Sequence, residues 1–308
     1  MKAAFFRKHG GPEVMEYGDM PDPVAGAGQV LVDVHAASVN GADWKVRAGS
    51  YAPLENLPYI PGRDFSGVVF ALGAGVTDFK VGDEVFGVCD VGQEQAYAEK
   101  IAIKASIIAR KPAAITHVEA AALSLIGLTA LVSVEDTLKL KSGETILIQG
   151  GAGGVASYAV QLAKHLGARV ITTASKANHD YVKRLGADEV IDYNAVDFAK
   201  VVSNCDAAFE TVGGGDLVQR TFSVLKPGGR AAFIGSGQTA PAADRKDVVS
   251  LRPRVGRTRG HMERVADLAV RGAVNPPEIR LFSLQEAAAA HKISEGRHFR
   301  GKLVFKLK

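Results

Sequence analysis

Residues 145–167 read TILIQGGAGGVASYAVQLAKHLG, and this stretch decides the fold. Ile146, Leu147 and Ile148 make a short aliphatic run, the pattern of a strand buried on both faces. Beyond it Val155, Ala159, Leu162, Ala163 and Leu166 recur at helical spacing, and Gly167 supplies the stop. Between run and helix, Gly151, Gly153 and Ala156 fit the G-x-G-x-x-G/A pattern. Such glycines permit a tight turn and let a pyrophosphate reach the backbone, while a small third residue lets helix pack on strand. The helix start then offers unpaired N–H groups and partial positive charge to phosphates. Strand, glycines and helix together predict a dinucleotide site.

The same alternation continues downstream. RVITTA, EVIDY, AAFETV and RAAFIG are candidate strands, with helical stretches near SYAVQLAKHL, NHDYVKRL, FAKVVS and GDLVQRTFSVL. This order predicts an α/β fold with a doubly wound parallel (Rossmann) sheet. Upstream, AAFF, QVLVDVHAASV, FSGVVFAL, DEVFGV and KIAI are short Val-, Ile- and Phe-rich runs between Gly, Pro and Asp turns. They predict a β-rich, mostly antiparallel barrel domain. From Glu119 the stretch EAAALSLIGLTALVSVEDTL reads as a helix that is apolar almost all round.

Beyond Gly235 the strand regularity is lost. The basic segment DRKDVVSLRPRVGRTRG holds Arg245, Arg252, Arg254, Arg257 and Arg259, which are expected to form a solvated basic face. Pro253 is expected to truncate the last strand of the sheet, because proline has no N–H for a ladder. A helix at HMERVADLAVRG follows, and the tail returns to the first domain. The predicted division is 1–117 with 263–308 as the barrel-like catalytic domain and 118–262 as the dinucleotide-binding domain.

Composition narrows the functional classes. The 308 residues are 47% hydrophobic and 23% charged, with a formal net charge of +4 and no long run of Lys or Arg. A globular protein is expected, with no nucleic acid as its main partner. The start, MKAAFFRKHG, has too short an apolar stretch for a signal peptide, and no membrane span of roughly 18 apolar residues is expected. Cys89 and Cys205 lie far apart, so no disulfide framework is expected and a cytoplasmic setting is.

The end of the second strand chooses between dinucleotides. An acidic residue there would bond the ribose 2′-OH of NAD. This chain has Thr172, Thr173, Ala174, Ser175 and Lys176 instead. No carboxylate repels a 2′-phosphate, Lys176 is placed to neutralise it, and Ser175 is placed to donate a hydrogen bond. Tyr193, after EVID, is a further candidate. The cofactor expected is NADP(H).

The segments AASVNGADWKVRAG, PYIPGRDFSGVV, VGDEVFG, AAALSLIGLTA, ILIQGGAGGVASYAVQLAK, LGADEVIDY, LKPGGRAAFIG and RGKLVF occur in the order found in medium-chain dehydrogenases/reductases. Across nearly its whole length the chain resembles the zinc-free branch of that family, the quinone oxidoreductases and alkenal/enone reductases. The resemblance implies a chaperonin-10-like barrel beside the Rossmann domain, and a homodimer. It places Thr129 beside the nicotinamide, Gly153, Gly154 and Val155 at the pyrophosphate, and Val212, Gly235 and Ser236 along the nicotinamide ribose. Where zinc-dependent relatives have a cysteine and a histidine, this chain has Asn40 and Arg63. His35, His117, His165, His261 and His298 share no ligand spacing, so no metal is expected.

Without a Lewis acid, a conjugated acceptor suits the chemistry better than a simple alcohol. Hydride from NADPH can reach a quinone or the β-carbon of an α,β-unsaturated carbonyl, and the developing negative charge needs only donors and a proton. The resemblance makes the loop VNGADWK a border of the acceptor cleft. Asn40 is the candidate to orient cofactor or substrate, Lys45 to hold charge on the carbonyl oxygen, Asp43 to position Lys45, and Tyr51 to donate or to stack on a quinone. The alternative is a non-catalytic NADPH-binding redox sensor or an RNA-binding, crystallin-like protein.

Overall fold

The structure, a computed structural model, describes residues 1–51, 54 and 56–308. It divides into two compact units, Met1–Leu125 with Arg257–Val270 and Pro276–Lys308, and Ile126–Gly256 with Arg271–Asn275. The expected division at 117/118 and 262/263 falls elsewhere for two physical reasons. One helix runs unbroken through the first boundary, so no change of composition marks it. At the second, Arg257 and Arg259 already donate to carbonyls of the first unit.

The first unit opens with β1 (Lys2–Phe5), β2 (Glu16–Asp19), β3 (Gln29–Ser38), α1 (Gly41–Arg47), β4 (Asp64–Leu72), β5 (Glu84–Val88), β6 (Lys100–Lys104) and β7 (Ile108–Arg110), then α2 (His117–Leu131). The second holds β8 (Thr145–Ile148), α3 (Gly154–His165), β9 (Arg169–Ala174), α4 (His179–Arg184), β10 (Glu189–Asp192), β11 (Cys205–Glu210), α5 (Leu217–Ser223), β12 (Leu225–Phe233) and β13 (Val249–Leu251). The chain returns to the first unit with α6 (Arg259–Val270), β14 (Ile279–Phe282), α7 (Ala287–Gly296) and β15 (Lys302–Lys306).

In the first unit β3 is the hub. Its ten residues pair antiparallel with β4, with β6 at one end and with β15 at the other. The sheet continues β14-β15-β3-β4-β5-β7, and only the β14–β15 pairing is parallel. Period-2 side chains such as Val30, Val32 and Val34 enter a core with Phe65, Val85, Ile101, Ile103 and Phe305. The long apolar helix reading around α2 also holds, continued by a wider turn over Val132–Thr137. His117–Thr137 is long and apolar enough by composition to cross a membrane, contrary to the expectation that no segment approaches this, but most of it is buried within the protein, as in a core helix.

The second unit is a six-stranded sheet of order β10-β9-β8-β11-β12-β13, parallel throughout. Counted from β8 this is the 3-2-1-4-5-6 order of dinucleotide-binding folds, whose ligand crevice opens at the strand ends where the order reverses. FAKVVS, expected as a helix, is only a 3-10 turn at Phe198–Lys200. Its reason is local: Asp197 accepts from the Ala199 N–H at 3.0 Å, and the buried Phe198 anchors the turn in the core.

β13 is three residues long and stops before Pro253, as expected. Just beyond it Arg252 Nη1 donates to the Phe233 carbonyl at 2.6 Å. The solvated basic face is corrected by the structure. Arg245 donates to the carbonyls of Phe222 and Leu225, Arg257 to Cys89, and Arg259 to Ala105 and Ile108. Of the five arginines only Arg254 is classed as exposed. A guanidinium carries five donors, enough to satisfy carbonyls that an irregular backbone leaves without ladder partners.

Candidate functional site

In the second unit the loops that follow β8, β9, β11 and β12 all leave the same end of the parallel sheet. Gly151 follows β8, and a Cβ there would lie 2.3 Å from Thr172 Oγ1, so only glycine lets the turn pass over β9. Ala156, at the third position of the motif, is buried against the sheet. α3 begins after Gly153 with no side chain capping it, which leaves its first N–H groups for a ligand. Gly154 and Val155 stand in that first turn.

Glu210, at the end of β11, is fully buried and ties the next two loops together. It accepts from the N–H groups of Val212 and Gly213 through one oxygen, and from Ser236 Oγ at 2.9 Å through the other. A Cβ on Gly213 would meet the Gly235 carbonyl at 2.3 Å, so these loops touch backbone to backbone. Val212 stays 45% exposed beside them. Past β9, Ser175 Oγ accepts from Asn178 Nδ2 at 3.0 Å, Lys176 is exposed, and among the described residues it forms no ion pair. Tyr193 follows β10 and is exposed. Thr129 lies nearly buried on α2. The open turn, the uncapped helix and the absence of a carboxylate after β9 fit a dinucleotide with a 2′-phosphate.

The first unit holds a cavity of ≈ 580 Å³ lined by Tyr51, Tyr59, Ile60, Arg63, Glu94 and other residues. Arg63 is 4% exposed. Its Nε lies 3.3 Å from Asp43 Oδ1, its Nη1 3.2 Å from Glu94 Oε1, and its guanidinium 5.0 Å from the centre of the Tyr51 ring. Tyr59 donates to the other oxygen of Glu94 at 2.8 Å. Asp43 Oδ2 accepts from the Asn40 N–H and from the Tyr97 hydroxyl, both at 2.8 Å. Complete burial pushes the Asp43 carboxyl up to about 6 in spite of the guanidinium beside it. Asp43 therefore serves Arg63 and Tyr97, not Lys45 as the sequence suggested.

Beneath this lies a second polar layer. The Asn40 amide is fully engaged: Lys302 Nζ donates to its oxygen at 2.8 Å, and its nitrogen donates to Asp64 Oδ1 at 2.9 Å and the Ser38 carbonyl at 3.2 Å. Asp64 also accepts from Ser38 Oγ and the Leu125 N–H. Burial raises Asp64 and lowers Lys302, while the opposite charge of each partly restores the other. These bonds fasten the loop before α1. Lys45 Nζ lies 5.7 Å from the centre of the Trp44 ring and is not among the residues lining the cavity.

The donor set does not fit a metal. Asn40 is committed, Arg63 cannot deprotonate to ligate, and burial lifts the Cys89 thiol well above its ordinary range. His35 and His117, remote in sequence, do meet at 4.4 Å between ring centres. Among the described residues, however, no three His, Cys, Asp or Glu side chains converge for a metal ion.

Sequence reasoning missed Arg63 as a cavity residue, and also Glu94, Asp64, Lys302 and Glu210. Arg63, Asp64 and Lys302 sit in the quoted motifs GRDFSG and RGKLVF, but nothing local shows which way a strand-end charge turns. Glu210 shows only as an acidic residue ending an apolar run, and Glu94, between Gln93 and Gln95, carries no signal.

Comparison with known proteins adds the family. Residues 26–167 match the alcohol dehydrogenase GroES-like domain, and residues 185–305 the family described as zinc-binding dehydrogenase. The chain is 35% identical over 253 residues to 2-methylene-furan-3-one reductase of Solanum lycopersicum, spanning 78% of this chain and 64% of that enzyme. It is 31% identical to quinone-oxidoreductase QR1, chloroplastic, of Triphysaria versicolor, over 96% of this chain and 94% of the relative. Among solved structures, the quinone oxidoreductase from Coxiella burnetii superposes with a TM-score of 0.93 at 36% identity, covering 100% and 99% of the two chains. Escherichia coli quinone oxidoreductase complexed with NADPH gives 0.89 at 27% identity, covering 99% and 100%.

Proposed function

The chain belongs to the medium-chain dehydrogenase/reductase family, in its quinone oxidoreductase and alkenal/enone reductase branch, and from that membership we propose how its own residues serve the reaction. It is an NADPH-dependent oxidoreductase acting on quinones or α,β-unsaturated carbonyls. Bound NADPH supplies a hydride equivalent. In our reading the first turn of α3, with Gly153, Gly154 and Val155, holds the pyrophosphate. Ser175 and Lys176 take the 2′-phosphate, with Tyr193 alongside. Thr129, Val212, Gly235 and Ser236 border the nicotinamide and its ribose, and Glu210 keeps the last two loops in place.

The observation that carries the NADPH assignment is the end of β9. An exposed lysine and a hydroxyl held by Asn178 stand there, and no carboxylate does. The acceptor is assigned to the cavity of the first unit, between the ring of Tyr51 and the ion-paired Arg63. A homodimer is proposed through the free edge of the parallel sheet at β13, where Val249 is exposed. A cytoplasmic setting is proposed from two buried, unpaired cysteines.

The deciding assay follows loss of reduced-nicotinamide absorbance with a panel of quinones and enones, NADPH against NADH, and identifies products by mass spectrometry. Turnover with NADPH preferred is expected. A saturated ketone product selects alkene reduction, and a hydroquinone selects quinone reduction. Tight NADPH binding without oxidation by any acceptor would favour the sensor instead.

A further inference from the structure

We propose that Arg63 is the electrophile of this reductase: its guanidinium donates to the carbonyl oxygen of the acceptor in the first unit's cavity and holds the negative charge that gathers there. This rests on the reading of that cavity as the acceptor site. Three observations carry it.

First, Arg63 is the sole Lys or Arg side chain among the described residues lining the cavity. The other cation there, the N-terminal ammonium of Met1, is held by the Met20 carbonyl and Asp22. Second, the guanidinium is fixed. Asp43 and Glu94 flank it at ion-pair distance, the Tyr51 ring lies against it, and only 4% of the residue is exposed. Third, its donors are not spent on hydrogen bonds. Nε has the ion-pair contact with Asp43 at 3.3 Å but no well-aligned hydrogen bond, and among the described residues Nη1 and Nη2 make no hydrogen bond either. A nearly buried donor without a hydrogen bond is costly, and an acceptor oxygen in the cavity can take one from the terminal nitrogens.

The chemistry needs such a group. As hydride joins the β-carbon of an enone, the C=C pair moves to the Cα–C bond and the C=O pair moves onto oxygen. The acceptor gains two electrons, NADPH becomes NADP⁺, and a proton from water later closes on the α-carbon. A fixed donor aimed where charge develops stabilises that oxygen more in the transition state than in the ground state. With no donor set for a metal, the charge falls to N–H groups. A guanidinium stays charged throughout the working pH range.

The test begins with the wild-type protein and two ligands of one shape, crotonate and crotonamide, as inhibitors of 3-penten-2-one reduction. Crotonate is expected to compete with the enone and to bind about tenfold or more tightly than the amide. Equal binding of the two overturns the proposal. Arg63→Gln is expected to lower kcat with the enone by about a hundredfold or more, the effect of removing one oxyanion donor. NADPH affinity, read by fluorescence quenching, should stay unchanged, and added guanidinium ion should restore part of the rate. A kcat within about threefold of wild type overturns it. If Arg63→Gln does not fold, Arg63→Lys decides: the carboxylate preference must survive with the cation, and its loss is contrary. A wild type that reduces neither enone nor quinone removes the functional reading itself. An active wild type matched by its Arg63 variants removes only this proposal.

Discussion

The ammonium of Lys302 donates to the amide oxygen of Asn40 at 2.8 Å, joining two residues 262 positions apart. Through this bond and the Asn40–Asp64 bond, the last strand fastens the loop that starts α1 to β4 and to the Leu125 N–H. Lys302→Met would leave Asp64 buried without its cation. The two charges act across Asn40 without direct contact, and the amide oxygen left without its donor costs about 1–3 kcal/mol. Denaturant unfolding should show a loss of that size, and the double variant Lys302→Met/Asp64→Asn should lose less than the sum. Additive losses would mean the two residues are not coupled.

The glycine turn after β8 makes its own demand. Gly151→Ala places a methyl 2.3 Å from Thr172 Oγ1, whose hydroxyl donates to the Ile148 carbonyl at 2.6 Å. Either β9 or the turn must shift, at about 1–3 kcal/mol for an overpacked site. NADPH binding by titration should weaken together with the melting temperature. An alanine variant with wild-type affinity would show that the turn does not touch the cofactor.

Cofactor choice rests on Ser175 and Lys176. Replacing Lys176 by Glu puts a carboxylate near a 2′-phosphate and removes a charge-assisted bond of about 1.5–3 kcal/mol. The dissociation constant for NADPH should rise by roughly ten- to a hundredfold, and that for NADH should move little. Equal weakening of both nucleotides would place Lys176 elsewhere.

The acid limb of stability has a named contributor. Arg47 can only donate, so the 3.4 Å contact makes His291 Nδ1 the acceptor, and the ring is neutral. Burial, then the charge of Arg47, lowers His291 to about 3 from an ordinary 6.5. The unfolded chain therefore takes up this proton first. Its share of stability is complete above about 6.5 and is lost as pH falls towards 3. Asp43, raised to about 6, acts with the opposite sign between about 4 and 6. His35 and His117, both lowered chiefly by burial, act with the same sign as His291. Because all three remain in both proteins, the difference between wild type and His291→Gln isolates one proton. The variant should gain on the wild type by up to about 1.4 kcal/mol per pH unit as pH drops below 6.5. A pH-independent difference in denaturant midpoints would contradict this.

The layers of this protein were not equally legible in its sequence. Strands and helices of the parallel sheet announce themselves because hydrophobic period is a local property: ILI, VITT and AAF are continuous runs, and the helix after Gly153 repeats every three to four residues. The cofactor crevice is legible for the same reason, since its residues follow strand ends in order. The polar layers of the first unit are not. Asp43 has its most natural partner two residues away in Lys45, and the fold gives it Arg63 and Tyr97 instead. Lys302 lies in a strand motif that reads alike whether the ammonium meets water or Asn40. Such pairings are set by tertiary contact, which period and spacing do not encode.

The inward-turned arginines of the segment between β12 and α6 change what a conservative substitution means here. Where Arg245, Arg252, Arg257 and Arg259 reach backbone carbonyls, a side chain finishes what a strand edge would otherwise finish. Lysine keeps the formal charge but has no planar fork, so it cannot reproduce the two-nitrogen bridge by which Arg259 holds the Ile108 and Ala105 carbonyls. A stretch that looks interchangeable by charge is thus constrained by shape, and substitution there is expected to be tolerated first at Arg254.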